Sequence, residues 1–280
     1  MRRIKLLIAL ALFPALLSAQ EPVTVKGRIV NQQGEGIGYV QLGVPKLQIG
    51  TISDADGCFK IEVPGDTLEF FHVSYQRTIF PVTGPADDLI IVLPEQELPP
   101  AIFIGGDTKE KYLMRPGKSV LRNLGVISTS IEGGHPSGRE LGSVARAKKP
   151  FLVQNIQFSV RSNHIPGCVA SINIYRIEGK KEAFVNVLHQ PIYFDVAVSD
   201  EPQRFDIQPE ESILLEPGRY FIAFQIVGWD ESAMQAPDPT MAFNIYLKNS
   251  YLREVSLGEM EHLPVNIGVA VKGLEYQSVK

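Results

Sequence analysis

Cysteine and tryptophan are scarce in this 280-residue sequence, which has two cysteines and one tryptophan. Cys58 and Cys168 lie far apart in the chain, and a disulfide between them would need Cα atoms within about 7 Å of each other. We expect both thiols to be free. Cys168, in register with Ala170 and Ile172, is then a small core residue. The fold must therefore rest on apolar burial rather than on disulfides.

An excess of positive charge is also absent. The formal net charge is -4, so the composition gives no reason to expect a nucleic-acid partner. A hydrophobic fraction of 44% and a charged fraction of 21% are ordinary values for a globular protein. These values exclude a disordered chain and a polytopic membrane protein.

The sequence lacks the motifs of several enzyme classes. The histidines at positions 72, 135, 164, 189 and 262 form no His-x-x-Glu or His-Glu-x-x-His pairing, which a zinc peptidase needs. No Gly-x-Ser-x-Gly elbow is present, and the glycine-rich residues 34–38 do not open a helix as a dinucleotide site requires. We therefore expect that this protein is not an enzyme and that it has no cofactor and no metal site.

The amino terminus carries a targeting pattern. Arg2, Arg3 and Lys5 precede an apolar run at residues 6–17, and cleavage after Ala19 would follow a small-residue site. The run is shorter than the roughly 20 residues that span a bilayer. We expect residues 1–19 to be a signal peptide and the protein to be exported, either periplasmic or associated with the outer membrane, with no transmembrane segment in the mature chain.

Residues 20–94 predict a small sandwich of seven strands without an amphipathic helix. Short β-rich runs alternate with turn residues at close spacing, and Gly57 closes a hairpin turn that begins at Asp54. The predicted strands are residues 23–30, 37–44, 48–53, 58–63, 67–75, 78–82 and 89–93.

Residues 95–128 are rich in proline and glycine and predict a semi-rigid linker. The apolar residues 101–104 inside it need burial, which an edge strand would provide. Residues 129–280 predict a larger, jelly-roll-like β-sandwich. Residues 211–215 could form one helical turn that Pro217 and Gly218 would end. The predicted strands are residues 151–161, 169–176, 192–198, 204–207, 220–227, 241–247 and 265–271.

The hairpin has a Gly-Thr-x-x-Asp-x-x-Gly-x-Phe pattern running from Gly50 to Phe59. With Gly27 before it and Val73-Ser74-Tyr75 after it, this segment resembles the carboxypeptidase regulatory-like domain, a transthyretin-like sandwich of Gram-negative envelope proteins. That resemblance implies a fold and no catalytic residues. Residues 138–142, 148–151, 158–160 and 172–176 resemble the jelly-roll region that accompanies this domain in short exported bacterial proteins of unknown function.

Asp54, Asp56 and Gly57 also match the beginning of a calcium loop, which would need a bidentate glutamate further on. The chain enters a strand at Cys58 instead, and Glu62 would point along the sheet. Asp and Gly are frequent in tight turns, so a turn explains the same residues without a metal.

The longest polar interruption of the second domain contains the single tryptophan. The indole of Trp229 could stack on a sugar ring while the carboxylates of Asp230 and Glu231 bind its hydroxyl groups. Alternatively, Trp229 could close the end of the sandwich as a packing residue. We expect the second arrangement, because tryptophan is usually largely buried. The sequence predicts an exported, non-enzymatic module that binds a partner in the cell envelope or has a structural role there, the partner being an envelope protein or a glycan. The alternative is a carbohydrate-binding protein that uses the second domain.

Overall fold

The fold is taken from a computed structural model, which describes residues 21–65, 67–97, 106–115, 126–130, 138–233 and 239–277. The expected signal peptide and the apolar residues 101–104 lie outside the described residues. Within the described part, no helix has the length and apolarity that a membrane crossing requires.

All seven runs predicted in the first domain contain a strand. In the hairpin strand, Phe59, Ile61 and Val63 are buried while the alternate residues are exposed, as the period of two requires. The strands are β1 (Val23–Val30), β2 (Gln41–Val44), β3 (Ile49–Ile52), β4 (Cys58–Val63), β5 (Thr67–Phe71), β6 (Thr78–Pro81) and β7 (Ala86–Val92).

These strands form two sheets, in the orders β4-β1-β7 and β3-β2-β5-β6. The two sheets face each other across one apolar core. Phe59 and Phe70 meet edge to face in this core, with ring centroids 5.7 Å apart. The first unit is therefore a β-sandwich.

The rest of the described chain is also built of strands. They are β8 (Thr108–Met114), β9 (Val126–Ser130), β10 (Glu140–Ala147), β11 (Phe151–Val160), β12 (Ser162–Asn163), β13 (Cys168–Glu178), β14 (Ala183–Asn186), β15 (Ile192–Val196), β16 (Gln203–Ile207), β17 (Ile213–Leu215), β18 (Gly218–Gly228), β19 (Thr240–Asn244), β20 (Ser250–Arg253), β21 (Met260–Leu263) and β22 (Ala270–Tyr276).

Two large sheets make the second sandwich. The first, called the large sheet below, has the order β14-β13-β18-β10-β20-β21 with β15 beside β13, and the second has the order β16-β11-β22-β8 with β17 beside β11. Phe158 and Phe224, one from each sheet, meet edge to face with centroids 5.5 Å apart. The predicted fold class, an all-β chain of two successive sandwiches, is confirmed.

Strand β8 lies inside residues 95–128, for which the sequence predicts a linker that could contain an edge strand. It lies at the edge of its sheet, pairs with β22 and buries Met114 in the core of the second sandwich. One segment differs from the sequence prediction. Residues 211–215 do not form a helical turn: Ile213 and Leu215 are buried alternately on β17, which pairs with β11. Apolar residues two positions apart favour a strand when a neighbouring edge can accept it.

The cysteine prediction is confirmed. Cys58 and Cys168 are both free. Cys58 is exposed, whereas Cys168 is buried in the second core. Burial raises the pKa of the Cys168 thiol to about 12, so it stays protonated and packs as an apolar side chain.

A buried polar network lies on the outer face of the large sheet. Glu140 is fully buried and its Oε2 accepts a hydrogen bond of 2.8 Å from Arg253, itself 8% exposed. Its Oε1 accepts hydrogen bonds from Tyr175 Oη at 2.7 Å and from Asn173 Nδ2 at 2.8 Å. Burial raises the pKa of Glu140, and the charge of Arg253 opposes that shift. A buried carboxylate is tolerated only when its oxygens are satisfied in this way.

We expect Glu140→Gln to lower the free energy of unfolding by about 3 to 5 kcal/mol, because it leaves the Arg253 charge buried without its partner. The control is Glu69→Gln, which breaks the 2.7 Å pair with Arg77 on side chains that are 28% and 54% exposed. That change should cost no more than about 1 kcal/mol. Urea unfolding measures both, and equal losses would contradict the importance of the buried pair.

The hairpin turn needs a residue with positive φ. Gly57 has φ +81°, and a Cβ built on it would lie 2.4 Å from the carbonyl oxygen of Ile29. Gly34 has a similar φ of +84° but no atom within 4 Å of such a Cβ. A side chain at either position would have a strained backbone, but only a side chain at Gly57 would also overlap with a neighbouring atom.

Gly57→Val should destabilise the first sandwich through backbone strain of about 1 to 3 kcal/mol, with the overlap against Ile29 adding to that cost. Gly34→Val should show the strain alone. Thermal unfolding of the two variants measures the difference. Equal melting temperatures would mean that the close approach of Ile29 to Gly57 has no energetic weight.

Candidate functional site

The first sandwich packs on the outer face of the large sheet. Gln41 Nε2 donates to Gln225 Oε1 at 3.2 Å, and Ser74 Oγ donates to the carbonyl oxygen of His189 at 3.0 Å. Val73, although it follows a strand of the first sandwich, belongs to the core cluster of the second. The two sandwiches are therefore joined by both polar and apolar contacts.

Three rings meet at this interface. Tyr39 and Tyr193 lie edge to face with centroids 5.0 Å apart, and the hydroxyl of Tyr193 lies 3.2 Å from His72 Nε2. His72 Nδ1 accepts a hydrogen bond from the backbone N–H of Ser74 at 3.2 Å. The ring proton therefore sits on Nε2 in the neutral imidazole, and Nε2 donates to Tyr193.

Burial lowers the pKa of His72 to about 4. A second proton would have to go to Nδ1, which faces the N–H of Ser74, and no acidic side chain among the described residues is hydrogen-bonded to the ring. The interface is therefore built for a neutral histidine.

A cleft of about 570 Å³ opens beside the interface, between the two sandwiches. Its walls come from the hairpin of the first sandwich and from the loops at one end of the large sheet of the second. The residues that line it include Tyr39, Asp54, Asp56, Lys60, Trp229 and Asp230. A cleft of this size is within the range of small-molecule sites.

The hairpin wall is held by the turn itself. Asp54 Oδ1 accepts hydrogen bonds from the backbone N–H groups of Asp56 at 3.0 Å and Cys58 at 2.7 Å. This is the geometry of an Asx turn, in which a carboxylate satisfies the backbone of its own loop. The turn interpretation of the Asp54–Gly57 segment is confirmed. Among the described residues, no group of three or more His, Cys, Asp or Glu side chains could hold a metal ion.

The opposite wall is the corner after β18. Asp230 Oδ1 accepts hydrogen bonds from the Ser232 hydroxyl at 2.6 Å and from the Ser232 N–H at 3.0 Å, and the backbone N–H of Asp230 donates to Pro166 at 2.9 Å. The Ser232 hydroxyl lowers the pKa of Asp230, so this exposed carboxylate is ionised at neutral pH. Glu231 continues the same corner in a 3₁₀ turn.

Trp229 has two roles in this geometry. It is partly buried and packs against the core of the second sandwich, and it also lines the cleft. Its indole Nε1 is buried without a hydrogen-bond partner among the described residues. Phenylalanine would keep the ring without burying an unpaired N–H.

The cleft brings together residues that the sequence analysis did not connect. Trp229 and Asp230 were expected to act within the second domain, whereas Tyr39 and the turn acids Asp54 and Asp56 come from the first. Gly228 allows the Tyr39 ring of the first sandwich to approach the backbone of the second, since a Cβ at Gly228 would lie 2.9 Å from Tyr39 Cε1. The sequence carries no signal for this juxtaposition, because it depends on how two sandwiches dock.

The chain matches no family model and no curated protein. Solved structures give weak fold matches. A DUF3823 family protein from Parabacteroides merdae has 10% identity over 88% of this chain and 98% of its own, with a TM-score of 0.23. A DUF3823 family protein from Bacteroides ovatus has 10% identity over 71% of this chain and 97% of its own, with a TM-score of 0.22.

A carbohydrate-binding module solved with β-1,4-galactotriose, TmCBM61, has 11% identity over 49% of this chain and 84% of its own, with a TM-score of 0.25. At these TM-scores the matches support no inference about a ligand.

The neutral state of His72 predicts a pH dependence of stability. In the unfolded chain an ordinary histidine has a pKa of about 6.5. Between about pH 6.5 and pH 4, His72 is therefore protonated in the unfolded state and neutral in the folded state. The free energy of unfolding should therefore fall as the pH drops from about 6.5 to about 4, by up to about 3 kcal/mol from this group.

Urea unfolding at pH 7 and pH 4 measures this loss, with His72→Gln as the comparison. The variant removes the titrating group, so its stability should fall less over the same interval. Parallel losses in the two proteins would show that other groups cause the pH dependence.

Proposed function

We propose that this protein is a non-enzymatic binding module of the cell envelope that takes a neutral glycan in the cleft between its two sandwiches. The observation that carries the proposal is the position of Trp229 and Tyr39 in one cleft with the carboxylates of Asp54 and Asp230. The rings come from both sandwiches, so the ligand would be held only when they are docked.

The chemistry of these side chains suits a sugar. An aromatic ring offers an apolar face on which the C–H groups of a sugar ring can pack, and such rings have large contact areas. Carboxylates accept hydrogen bonds from hydroxyl groups. The hydrogen bonds of Asp54 and Asp230 within their turns all use Oδ1, so Oδ2 of each takes part in none of them.

The charge of the cleft favours a neutral rather than an acidic ligand. Asp54, Asp56 and Asp230 face one ammonium group, that of Lys60. An anionic sugar would be repelled by this excess of carboxylates. Burial raises the pKa of Tyr39, so its hydroxyl keeps its proton and can donate to a ligand oxygen.

Export belongs to the same proposal. Its support is the basic and apolar pattern at residues 1–19, which would place the mature protein in the periplasm or at the outer membrane. The resemblance of the first sandwich to the carboxypeptidase regulatory-like domain, based on the hairpin from Gly50 to Phe59, supports the same location and a role without catalysis.

The single tryptophan gives a direct test. Titration of the protein with a panel of neutral oligosaccharides should change the fluorescence of Trp229 with at least one of them. Trp229→Ala should weaken that binding at least about tenfold, which corresponds to about 1.4 kcal/mol. Trp229→Phe keeps an aromatic face and should retain most of the affinity, with calorimetry as the readout where fluorescence is lost.

A matched pair of acids provides the control. Asp230→Asn keeps the Oδ1 acceptor of the turn and removes the charge beside the cleft, so it should weaken binding. Asp200→Asn changes an acid whose side chain is 93% exposed and which does not line the cleft, so it should have no effect. Unchanged affinity in Trp229→Ala, or a failure of every neutral glycan to bind, would sink the proposal in favour of an envelope protein as partner.

A further inference from the structure

A second cleft of about 770 Å³ lies on the outer face of the β16-β11-β22-β8 sheet. The first sandwich covers the other sheet of this domain, so the two clefts are on different sides of the protein. The residues that line the second cleft include Tyr112, Arg115, Gln157, Arg204, Asp206 and Tyr246. None of them belongs to the cleft that contains Trp229.

Strand register puts these polar groups on one face. Gln157 lies opposite Asp206, and Ser159 lies opposite Arg204. Phe158 and Phe205 alternate with these residues along their strands and point to the inner side of the sheet. Their rings stack with centroids 5.0 Å apart, Phe158 in the core and Phe205 against it. The sheet therefore has an apolar inner side and an outer side of hydrogen-bonding groups.

One tyrosine ring is held in place by a glycine. A Cβ built on Gly268 would lie 2.1 Å from Cε2 of Tyr246, so the ring lies directly against the backbone there. Tyr246 and Asn266 also exchange two backbone hydrogen bonds of 3.0 Å. The ring is thus presented to the cleft at a fixed position, and it loses little freedom when a ligand packs on it.

The cleft has more positive than negative charge. Two guanidinium groups, those of Arg115 and Arg204, face one carboxylate, that of Asp206, which accepts a 3.2 Å hydrogen bond from Gln157. Arg204 is exposed and has no ion pair among the described residues. This excess contrasts with the net charge of -4 of the whole chain.

The second guanidinium is oriented by a ring. Arg115 lies over Tyr112 with 4.3 Å between its Cζ and the ring centroid. A guanidinium that stacks on an aromatic face leaves its N–H edge free to bind a planar carboxylate with two hydrogen bonds.

We propose that this second cleft binds a carboxylate-bearing glycan, with Arg204 and Arg115 on the carboxylates and Tyr246 against a sugar ring. The proposal does not depend on the neutral-glycan site, from which it differs in charge and in every residue. It assigns an acidic sugar chain to one side of the protein and leaves the inter-sandwich cleft to another ligand.

The test compares two probes that differ in one group. Oligogalacturonate and the corresponding neutral galactose oligomer share the same ring, and only the first has carboxylates. Calorimetric titration of the full chain should detect binding of the acidic oligomer and at least tenfold weaker binding of the neutral one. The affinity should fall when the salt concentration is raised, because exposed charges are screened.

Variants identify the site. Arg204→Ala and Tyr246→Ala should each weaken oligogalacturonate binding at least tenfold, and Arg146→Ala, which removes an exposed arginine from β10, should leave it unchanged. Trp229→Ala should also leave it unchanged, which separates this site from the other cleft. Unfolding midpoints of all four variants confirm that the fold is intact.

Three results would overturn the proposal. They are unaltered binding in a folded Arg204→Ala variant, loss of binding in Trp229→Ala, and binding of dextran sulfate as tight as that of oligogalacturonate, which would mean that charge alone rather than a carboxylate is recognised. Loss in Arg204→Ala with retention in Arg204→Lys would also count against the two-bond geometry, since lysine keeps the charge and lacks the planar fork.

Discussion

The burial of Glu140 with Arg253 on the outer face of the large sheet is the constraint on which the arrangement of the protein depends. A buried carboxylate needs hydrogen bonds to its oxygens, and both oxygens of Glu140 have them. Asn173 and Gln225 extend this network until it reaches Gln41 of the first sandwich. The hydrogen bond between the two glutamine side chains thus continues a chain of bonds that begins at a buried charge. Docking of the two sandwiches and satisfaction of this network are coupled.

That docking creates the inter-sandwich cleft. Tyr39 reaches the end of β18 only because Gly228 has no side chain, and Trp229 then lies across the cleft from the turn at Asp54. His72 adds a neutral contact to Tyr193 at the same interface. The second cleft has a different origin. It is made by strands of one sandwich, so its geometry depends on sheet register and not on the contact between the two units.

Much of the fold was predictable from the alternation of apolar and polar residues along the strands. The alternation fails where both faces of a strand are buried. β4 shows the period of two because one of its faces is exposed, and it was predicted with its observed ends. β10 has nearly all of its residues buried, since the core covers one face and side chains of neighbouring strands, among them Tyr175 and Arg253, cover the other. Its sequence of small and polar residues therefore gives no period. The residues of both clefts were predictable only in part, because Trp229 stands out by its rarity while Tyr39 and Arg204 do not.

The two clefts differ in charge because they sit on different kinds of backbone. Turns favour aspartate, whose carboxylate satisfies the N–H groups of its own loop, so a cleft built from the turns at Asp54 and Asp230 becomes acidic without any ligand requirement. An exposed strand face has no such local need, since its backbone is paired across the sheet. The turn acids in the first cleft are therefore explained by the fold. Arg204 in the second lies on a strand and forms no ion pair with any described residue, so the fold alone does not account for it. This difference makes the arginine the stronger indication of a ligand.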